Sequence, residues 1–86
     1  MKIYKYPLQI NDTQTVMIPK GAKLLTVQMQ HGSPQLWASV DPNTGLATRR
    51  IACAGTGHHT PDGLYLGTIQ MQNGALIFHF FDQGEQ

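Results

Sequence analysis

The segment from Arg49 to Gly63, RRIACAGTGHHTPDG, brings together glycine, arginine, histidine and hydroxyl side chains that can hold a small molecule. In the run Gly55-Thr56-Gly57, glycines let the backbone turn its N–H groups toward a common point, which is a way to bind an anion. An arginine can pair with phosphate through two parallel hydrogen bonds. The segment therefore predicts a loop that binds phosphate or a nucleotide.

Different kinds of protein group are predicted to contact the phosphate, the ribose and the base of the ligand. Adjacent strand residues face opposite sides, so only one of the two arginines shares a face with the ligand and pairs with its phosphate. The glycine-rich run donates backbone N–H groups, a histidine bonds to phosphate or ribose, and an aromatic ring stacks on a base. The expected ligand-binding residues are Arg49, Arg50, Gly55, Thr56, Gly57, His58, His59, Thr60, Tyr65 and Trp37.

Other interpretations of the segment stay open beside this one. It can be only a long connection between strands, with Pro61-Asp62-Gly63 forming a type I or type II turn. His58 or His59 can act as a general base in a small phosphodiester hydrolase, although Asp62 is the one acidic residue nearby in sequence. Neighbouring histidines on one loop rarely chelate the same ion, and the ligand spacings of zinc sites are missing. We therefore expect binding without catalysis, with no metal and no cofactor.

Composition limits the classes of partner. The 86 residues include 13% charged side chains, against about 25% in a typical soluble domain, so a second subunit is expected to cover part of the surface and a homo-oligomer is predicted. The net charge of +1 is too weak for binding bulk nucleic acid. No apolar run suits a membrane span and no secretory leader is recognisable. The single cysteine, Cys53, excludes an internal disulfide and favours a reducing cytoplasm.

The pattern of apolar residues indicates strands and no helix. No window shows helical periodicity, whereas β-branched and aromatic residues come in short alternating runs between Gly, Pro, Asn and Asp. The clearest alternation is in Ala22–Gln30, and Gln35–Val40 places Leu36, Ala38 and Val40 on one face and Trp37 on the other. We expect one all-β domain over residues 1–86, an antiparallel meander of about six strands curled into a sandwich or barrel.

The last two strands are predicted to form a hairpin whose register can be read from the turn. Asn73-Gly74 favours a two-residue type I′ turn, because both positions adopt positive φ at little cost. That register places one wholly apolar face toward the core and leaves the other face mixed. The expected cross-strand pairs are Gln72 with Ala75, Met71 with Leu76, Ile69 with Phe78, Thr68 with His79 and Gly67 with Phe80.

The mixed face of this hairpin supports an alternative function. Leu66, Ile77 and Phe81, together with Trp37, can form an apolar patch that binds another protein. In that case the glycine-rich segment is incidental.

Three stretches of the sequence are distinctive: the opening IYKYPL, the block IPKGAK followed by VQ and HG, and the Gly-Thr-Gly-His segment. Through them the chain resembles, over its whole length, an uncharacterised family of small accessory proteins encoded by tailed phages and prophages. Cys53 and its alanine neighbours depart from it, because bulkier strand residues are expected there.

The resemblance implies a setting and no particular reaction. Phage accessory proteins act in the cytoplasm of the infected bacterium, where small oligomeric proteins counter host defence by capturing nucleotide signals or by binding defence proteins. It therefore favours a protein that sequesters a small phosphorylated ligand, such as a nucleotide immune signal, and it leaves open the alternative of a module that binds a host or phage protein.

Overall fold

The alternating runs form seven β-strands in the computed structural model, which describes every residue from Met1 to Gln86. The all-β prediction is confirmed, and the strand count is one higher than the expected six. No helix is long and apolar enough to cross a membrane. The strands are β1 (Lys2–Pro7), β2 (Thr13–Pro19), β3 (Lys23–Gln30), β4 (Ser33–Val40), β5 (Leu46–Gly55), β6 (Leu64–Met71) and β7 (Leu76–Glu85).

The strands form two antiparallel sheets that do not close into a barrel. One sheet has the order β1-β4-β3 and the other the order β2-β5-β7-β6. Only β3–β4 and β6–β7 are neighbours both in sequence and in space, so the predicted meander is wrong. The pairs β1–β4 and β2–β5 join strands that are distant in sequence, and local turn chemistry does not specify such pairs.

The core lies between the inner faces of the two sheets. In β4, the alternating residues Leu36, Ala38 and Val40 are fully buried, as the period of a strand requires. Phe80, at the centre of the four-stranded sheet, is also fully buried, and burying such a side chain stabilises the fold by roughly 2 kcal/mol. The larger core cluster consists of Leu8, Val27, Leu36, Ile51, Cys53, Leu66, Ile69 and Phe80.

The β6–β7 hairpin has the predicted strand register, with a wider turn. Met71 lies opposite Leu76 and Ile69 opposite Phe78. Asn73 has φ 56° and ψ 35°, and the Ala75 N–H donates to the Gln72 carbonyl at 3.1 Å, as in a type I′ turn. Gln72 also adopts a positive φ of 51°, which is not a strand conformation. The β-ladder therefore ends at the Met71–Leu76 pair, and the predicted Gln72–Ala75 strand pair is not formed.

A β-bulge in β6 decides which side chains reach the outer face of the four-stranded sheet. Tyr65 pairs with Phe81 and Gly67 pairs with Phe80, so Leu66 is the extra residue. Leu66 points into the core and is only 7% exposed. Because of this insertion, Tyr65 and Thr68 share the outer face although they are three positions apart in sequence.

Candidate functional site: a pocket between the β5–β6 loop and the outer face of the sheet

The loop between β5 and β6 folds back over the outer face of the four-stranded sheet. This is shown by Thr56 of the loop, whose Oγ1 lies 2.8 Å from Nε2 of His79 on that face. Between the loop and the sheet lies a pocket of about 280 Å³, called here the loop pocket. Its lining residues are Ala54, Gly55, Thr56, Gly57, His58, His59, Thr60, Pro61, Tyr65, His79 and Phe81.

A chain of hydrogen bonds crosses the floor of the loop pocket. The His79 Nε2 atom lies 2.8 Å from Thr56 Oγ1, and His79 Nδ1 lies 2.9 Å from Thr68 Oγ1. Thr68 Oγ1 in turn lies 2.5 Å from the Tyr65 hydroxyl. These four residues are called here the hydroxyl–imidazole relay, and its two ends, Thr56 and Tyr65, both line the pocket.

Strand register places the relay. His79 lies on β7, paired with Ala54 of β5 on one side and with Thr68 of β6 on the other. The small Ala54 side chain keeps this part of the floor open, and the β6 bulge turns the Tyr65 hydroxyl toward Thr68. Three members of the relay, Tyr65, Thr68 and His79, therefore lie on paired strands, and only Thr56 belongs to the loop.

The backbone of the loop carries unused hydrogen-bond donors. One turn is closed by the His58 N–H, which donates to the Gly55 carbonyl at 3.2 Å, whereas the N–H groups of Thr56, Gly57, His59 and Thr60 donate to no acceptor in the protein. Gly57 adopts φ 93°, a conformation that glycine takes without steric cost. These N–H groups are therefore available to water or to a ligand.

Arg49 lies outside the loop pocket, because Asp82 holds it. Its Nε and Nη2 atoms donate to the two carboxylate oxygens at 2.9 and 2.7 Å, and its Nη1 donates to the Ala22 carbonyl at 2.9 Å. The Arg49 and Asp82 side chains are 13% and 7% exposed. An arginine whose fork is already occupied in this way has few donors left for a phosphate.

The ion pair perturbs both groups. Burial raises the pKa of Asp82, but the hydrogen bonds from Arg49 and from the Gly84 N–H, with the charge of Arg49, outweigh it and leave that pKa below its ordinary value. The hydrogen bond with Asp82 raises the pKa of Arg49, and burial lowers it by less. Both groups are therefore charged at neutral pH and stabilise the fold as a pair.

Arg50 and Trp37 also lie away from the loop pocket. The exposed Arg50 donates from Nε to Gln83 Oε1 at 2.9 Å and borders a shallow depression on β2. Trp37 belongs to the three-stranded sheet, where it pairs with Lys5 and Thr26. Of the predicted ligand-binding residues, the structure brings together Gly55, Thr56, Gly57, His58, His59, Thr60 and Tyr65, and it leaves Arg49, Arg50 and Trp37 elsewhere.

His79 and Phe81 are pocket residues that were not predicted as ligand-binding residues. The predicted register already paired His79 with Thr68, whereas Phe81 lies opposite Tyr65 because of the bulge at Leu66. The Tyr65 and Phe81 rings meet edge to face, with centroids 5.8 Å apart and an interplanar angle of 64°. They give the pocket an aromatic wall next to its polar floor.

The loop pocket contains no permanently charged side chain. No Asp, Glu, Lys or Arg lines it, so its ionisable groups are His58, His59, His79 and Tyr65. No group of three His, Cys, Asp or Glu side chains is arranged to hold a metal ion. The pocket can therefore offer hydroxyl, imidazole and amide hydrogen bonds, together with a charge only when a histidine is protonated.

The apolar patch considered for protein binding is divided in the structure. Leu66 belongs to the core, which corrects its placement on the outer face, and the physical reason is the bulge at this residue. Ile77 and Phe81 are half-buried on the outer face of the four-stranded sheet, whereas Trp37 is in the other sheet. These residues do not form one continuous surface.

Comparisons with known proteins give a family and no activity. A family model described as "Domain of unknown function (DUF7352)" matches residues 1–86. No curated protein and no solved structure matches the chain.

Proposed function

We propose that this chain, which belongs to the DUF7352 family over its whole length, binds a small phosphorylated ligand in the loop pocket without transforming it. The observation that carries the proposal is the convergence on one pocket of about 280 Å³ of the glycine-rich loop, three histidines and an aromatic wall. A few convergent polar groups beside aromatic surface are typical of small-molecule sites.

The loop backbone supports the phosphate part of this proposal. Four neighbouring N–H groups, on Thr56, Gly57, His59 and Thr60, have no acceptor within the protein. Backbone N–H groups of a glycine-containing turn are donors that phosphate oxygens accept from readily. The arginines have no part in the proposal, since Arg49 is bound to Asp82 and Arg50 to Gln83.

The aromatic wall supports the organic part of the ligand. Tyr65 is 61% exposed, and with Phe81 it borders the pocket that the loop also lines. A planar base or a sugar ring can lie against this wall while the phosphate faces the loop. The volume suits a mononucleotide or a smaller phosphate ester better than a dinucleotide, because pockets for drug-sized ligands measure about 300–1,000 Å³ and this one lies at the lower end.

The composition of the pocket favours binding over hydrolysis. A general base needs a partner that orients it. No carboxylate lines the loop pocket, and Asp12, which lines an adjacent depression with His58 and His59, makes no side-chain hydrogen bond or ion pair with either histidine. Both Nδ1 and Nε2 of His79 are occupied by threonine hydroxyls, which holds that ring as part of the floor. Sequestration therefore accounts for the arrangement with fewer requirements than phosphodiester cleavage.

The setting of this activity is part of the proposal. The sequence resemblance to phage accessory proteins suggests that the ligand is a nucleotide signal of host defence, captured in the cytoplasm of the infected bacterium. The residues from Gly57 to Thr60 are exposed, so a second copy of the chain could close the pocket over the ligand in a homo-oligomer.

Calorimetry with a defined set of probes tests the proposal. The set comprises AMP, cyclic mononucleotides and ADP-ribose, titrated into protein at a concentration on the order of tens of micromolar. Binding of one of them, weakened by Thr56→Val and unchanged by Arg50→Ala, is the expected result. The absence of heat with every probe, together with no small molecule released when the purified protein is denatured, would reject it.

A protein-binding module is the second candidate, and the free edge of β1 favours it. This strand pairs only with β4 and exposes Ile3 by 65% and Tyr4 by 40%. Sheet edges with exposed apolar residues accept an additional strand from a partner. A pull-down from host lysate that recovers one protein in stoichiometric amount, lost on Ile3→Lys but kept on Thr56→Val, would support this candidate against the first.

A further inference from the structure

We infer that His79 supplies the positive charge for an anion in the loop pocket, and that the anion binds to the hydroxyls of Thr56 and Tyr65 with uptake of one proton by His79. The inference rests on the proposed function and names the chemistry of its phosphate subsite. Its first observation is that no lysine or arginine lines the pocket that is proposed to hold an anion.

When His79 is neutral, the relay allows only one of its two terminal hydroxyls to donate a hydrogen bond into the pocket. A neutral imidazole has one N–H donor and one acceptor nitrogen, and both nitrogens of His79 are within hydrogen-bond distance of threonine hydroxyls. Hydrogen bonds must then run in one direction along the relay, from Tyr65 to Thr56 or the reverse. One end therefore presents a spare O–H donor to the pocket, and the other end presents only an acceptor.

Protonation of His79 changes the donor and acceptor roles along the relay. The imidazolium donates from both nitrogens, so the Thr56 and Thr68 oxygens both accept from the ring. Thr68 then donates to the Tyr65 oxygen, and the hydroxyl hydrogens of Thr56 and Tyr65 are both free to point into the pocket. A single proton thus converts a donor–acceptor pair into a pair of donors.

A pair of donors is what an anion requires. Phosphate and sulfate oxygens that carry no proton only accept hydrogen bonds, so the neutral relay always opposes such an anion at one end. The protonated relay meets it with two hydroxyl donors, and the charged ring is hydrogen-bonded to Thr56 directly and to Tyr65 through Thr68. Because the anion binds the protonated form more tightly, binding must draw a proton onto His79.

No carboxylate lines the loop pocket beside His79, and Asp12, the acidic residue next to the loop, lines the adjacent depression with His58 and His59 and makes no hydrogen bond with His79. The elements packed around the ring contribute Ala54 from β5, Tyr65 and Thr68 from β6, and His58 and His59 from the loop. Protonating either loop histidine would oppose a charge on His79. The bound anion is therefore the group that stabilises the imidazolium, and proton uptake is coupled to its arrival.

Inorganic sulfate is the probe for the test, because it carries tetrahedral oxygens like those of phosphate and does not titrate in the range where histidine does. Protein labelled with ¹⁵N in its histidine rings is titrated with sulfate, and the ring nitrogens of each histidine are followed by NMR. The expected result is a change of His79 from the neutral to the imidazolium pattern at a pH where it is neutral without sulfate. The apparent affinity should fall by up to about tenfold per pH unit as the pH rises through the histidine range.

Variants separate the relay from the rest of the pocket. Tyr65→Phe removes one of the two terminal donors and should weaken sulfate binding, whereas Tyr4→Phe, on the other sheet, should not. His31→Gln, in the β3–β4 turn, is the matched control for His79→Gln. The wild-type NMR titration decides the question even if His79→Gln does not fold.

The outcomes distinguish this inference from the proposed function. If sulfate or a nucleotide binds at the loop while the His79 nitrogens stay neutral, or while only His58 or His59 becomes charged, the inference is overturned and the proposed function stands. The same holds if a nucleotide binds and sulfate does not. If neither binds, both are rejected.

Discussion

Asp82 holds Arg49 by both oxygens of its carboxylate, across the two central strands of the four-stranded sheet. The same carboxylate also accepts from the Gly84 N–H at 2.8 Å, and the guanidinium reaches the Ala22 carbonyl between β2 and β3. The ion pair thus ties the end of β7 to β5 and to the turn that leads into the other sheet. The pair therefore links these parts of the fold and holds Arg49 outside the loop pocket.

Breaking this ion pair should destabilise the protein. Asp82→Asn leaves a buried guanidinium without its counter-charge and should lower the free energy of unfolding by about 3 kcal/mol, measured by urea denaturation. Asp62→Asn is the matched control, because Asp62 is exposed and contributes only its backbone carbonyl to a hydrogen bond. Equal stability of the two variants would contradict the structural role of the pair.

The same carboxyl predicts the direction of the pH dependence. The pKa of Asp82 in the folded protein lies below its ordinary value of 3.8, so the ionised form stabilises the fold and its contribution is fully present above that value. Stability should be lost as the pH falls from the ordinary value toward the lower folded one. Urea denaturation in steps of pH checks this, and the loss should be smaller in Asp82→Asn; a loss of the same size would assign it to other groups.

Gly67 should tolerate no side chain, because the sheets approach each other there. A Cβ at this position would lie 2.5 Å from the Val27 carbonyl oxygen, whereas at Gly45 nothing lies within 4 Å. Gly67→Ala should therefore cost about 3 kcal/mol of unfolding free energy, and Gly45→Ala less than about 1 kcal/mol. Thermal or urea denaturation of the pair measures the difference. A well-tolerated Gly67→Ala would mean that β3 and β6 can separate without cost.

The Tyr65 hydroxyl should contribute to ligand affinity and little to stability. It is exposed, and its one hydrogen-bond partner is Thr68, so Tyr65→Phe keeps the aromatic wall and removes one donor. The affinity for a phosphorylated ligand should fall by about tenfold, as expected for a lost hydrogen bond to a charged group. Calorimetry measures the change against Tyr4→Phe as control. Unchanged affinity in Tyr65→Phe would exclude this hydroxyl from the contact.

Local patterns predicted much of the fold, since they reflect local physics. The alternation in β4 identified Leu36, Ala38 and Val40 as one face, and these residues are buried. The Asn-Gly turn specified the β6–β7 pairing as far as Gly67 opposite Phe80. The order of the other strands was not predictable in this way, because pairs such as β1–β4 depend on packing between distant segments and not on a turn.

The lining of the loop pocket was predictable in part for the same reason. The loop residues stay together because they are consecutive, and Tyr65 follows within a few positions. Arg49 was assigned to the ligand because its partner, Asp82, is 33 positions away in sequence, and the sequence offers no local sign of that pair. His79 could have been found, since the hairpin register already placed it opposite Thr68, but a histidine in a strand gives no sign that a distant loop folds over it.

The most direct test of the central claim is to map a ligand onto the protein by amide chemical shifts, with AMP and ADP-ribose titrated into uniformly ¹⁵N-labelled protein. Binding in the loop pocket predicts that the largest shifts fall on the amides from Gly55 to Thr60 and on Thr68 and His79, with saturation. Shifts that instead cluster around Arg50 or β1, or spectra unchanged by either compound, would contradict it.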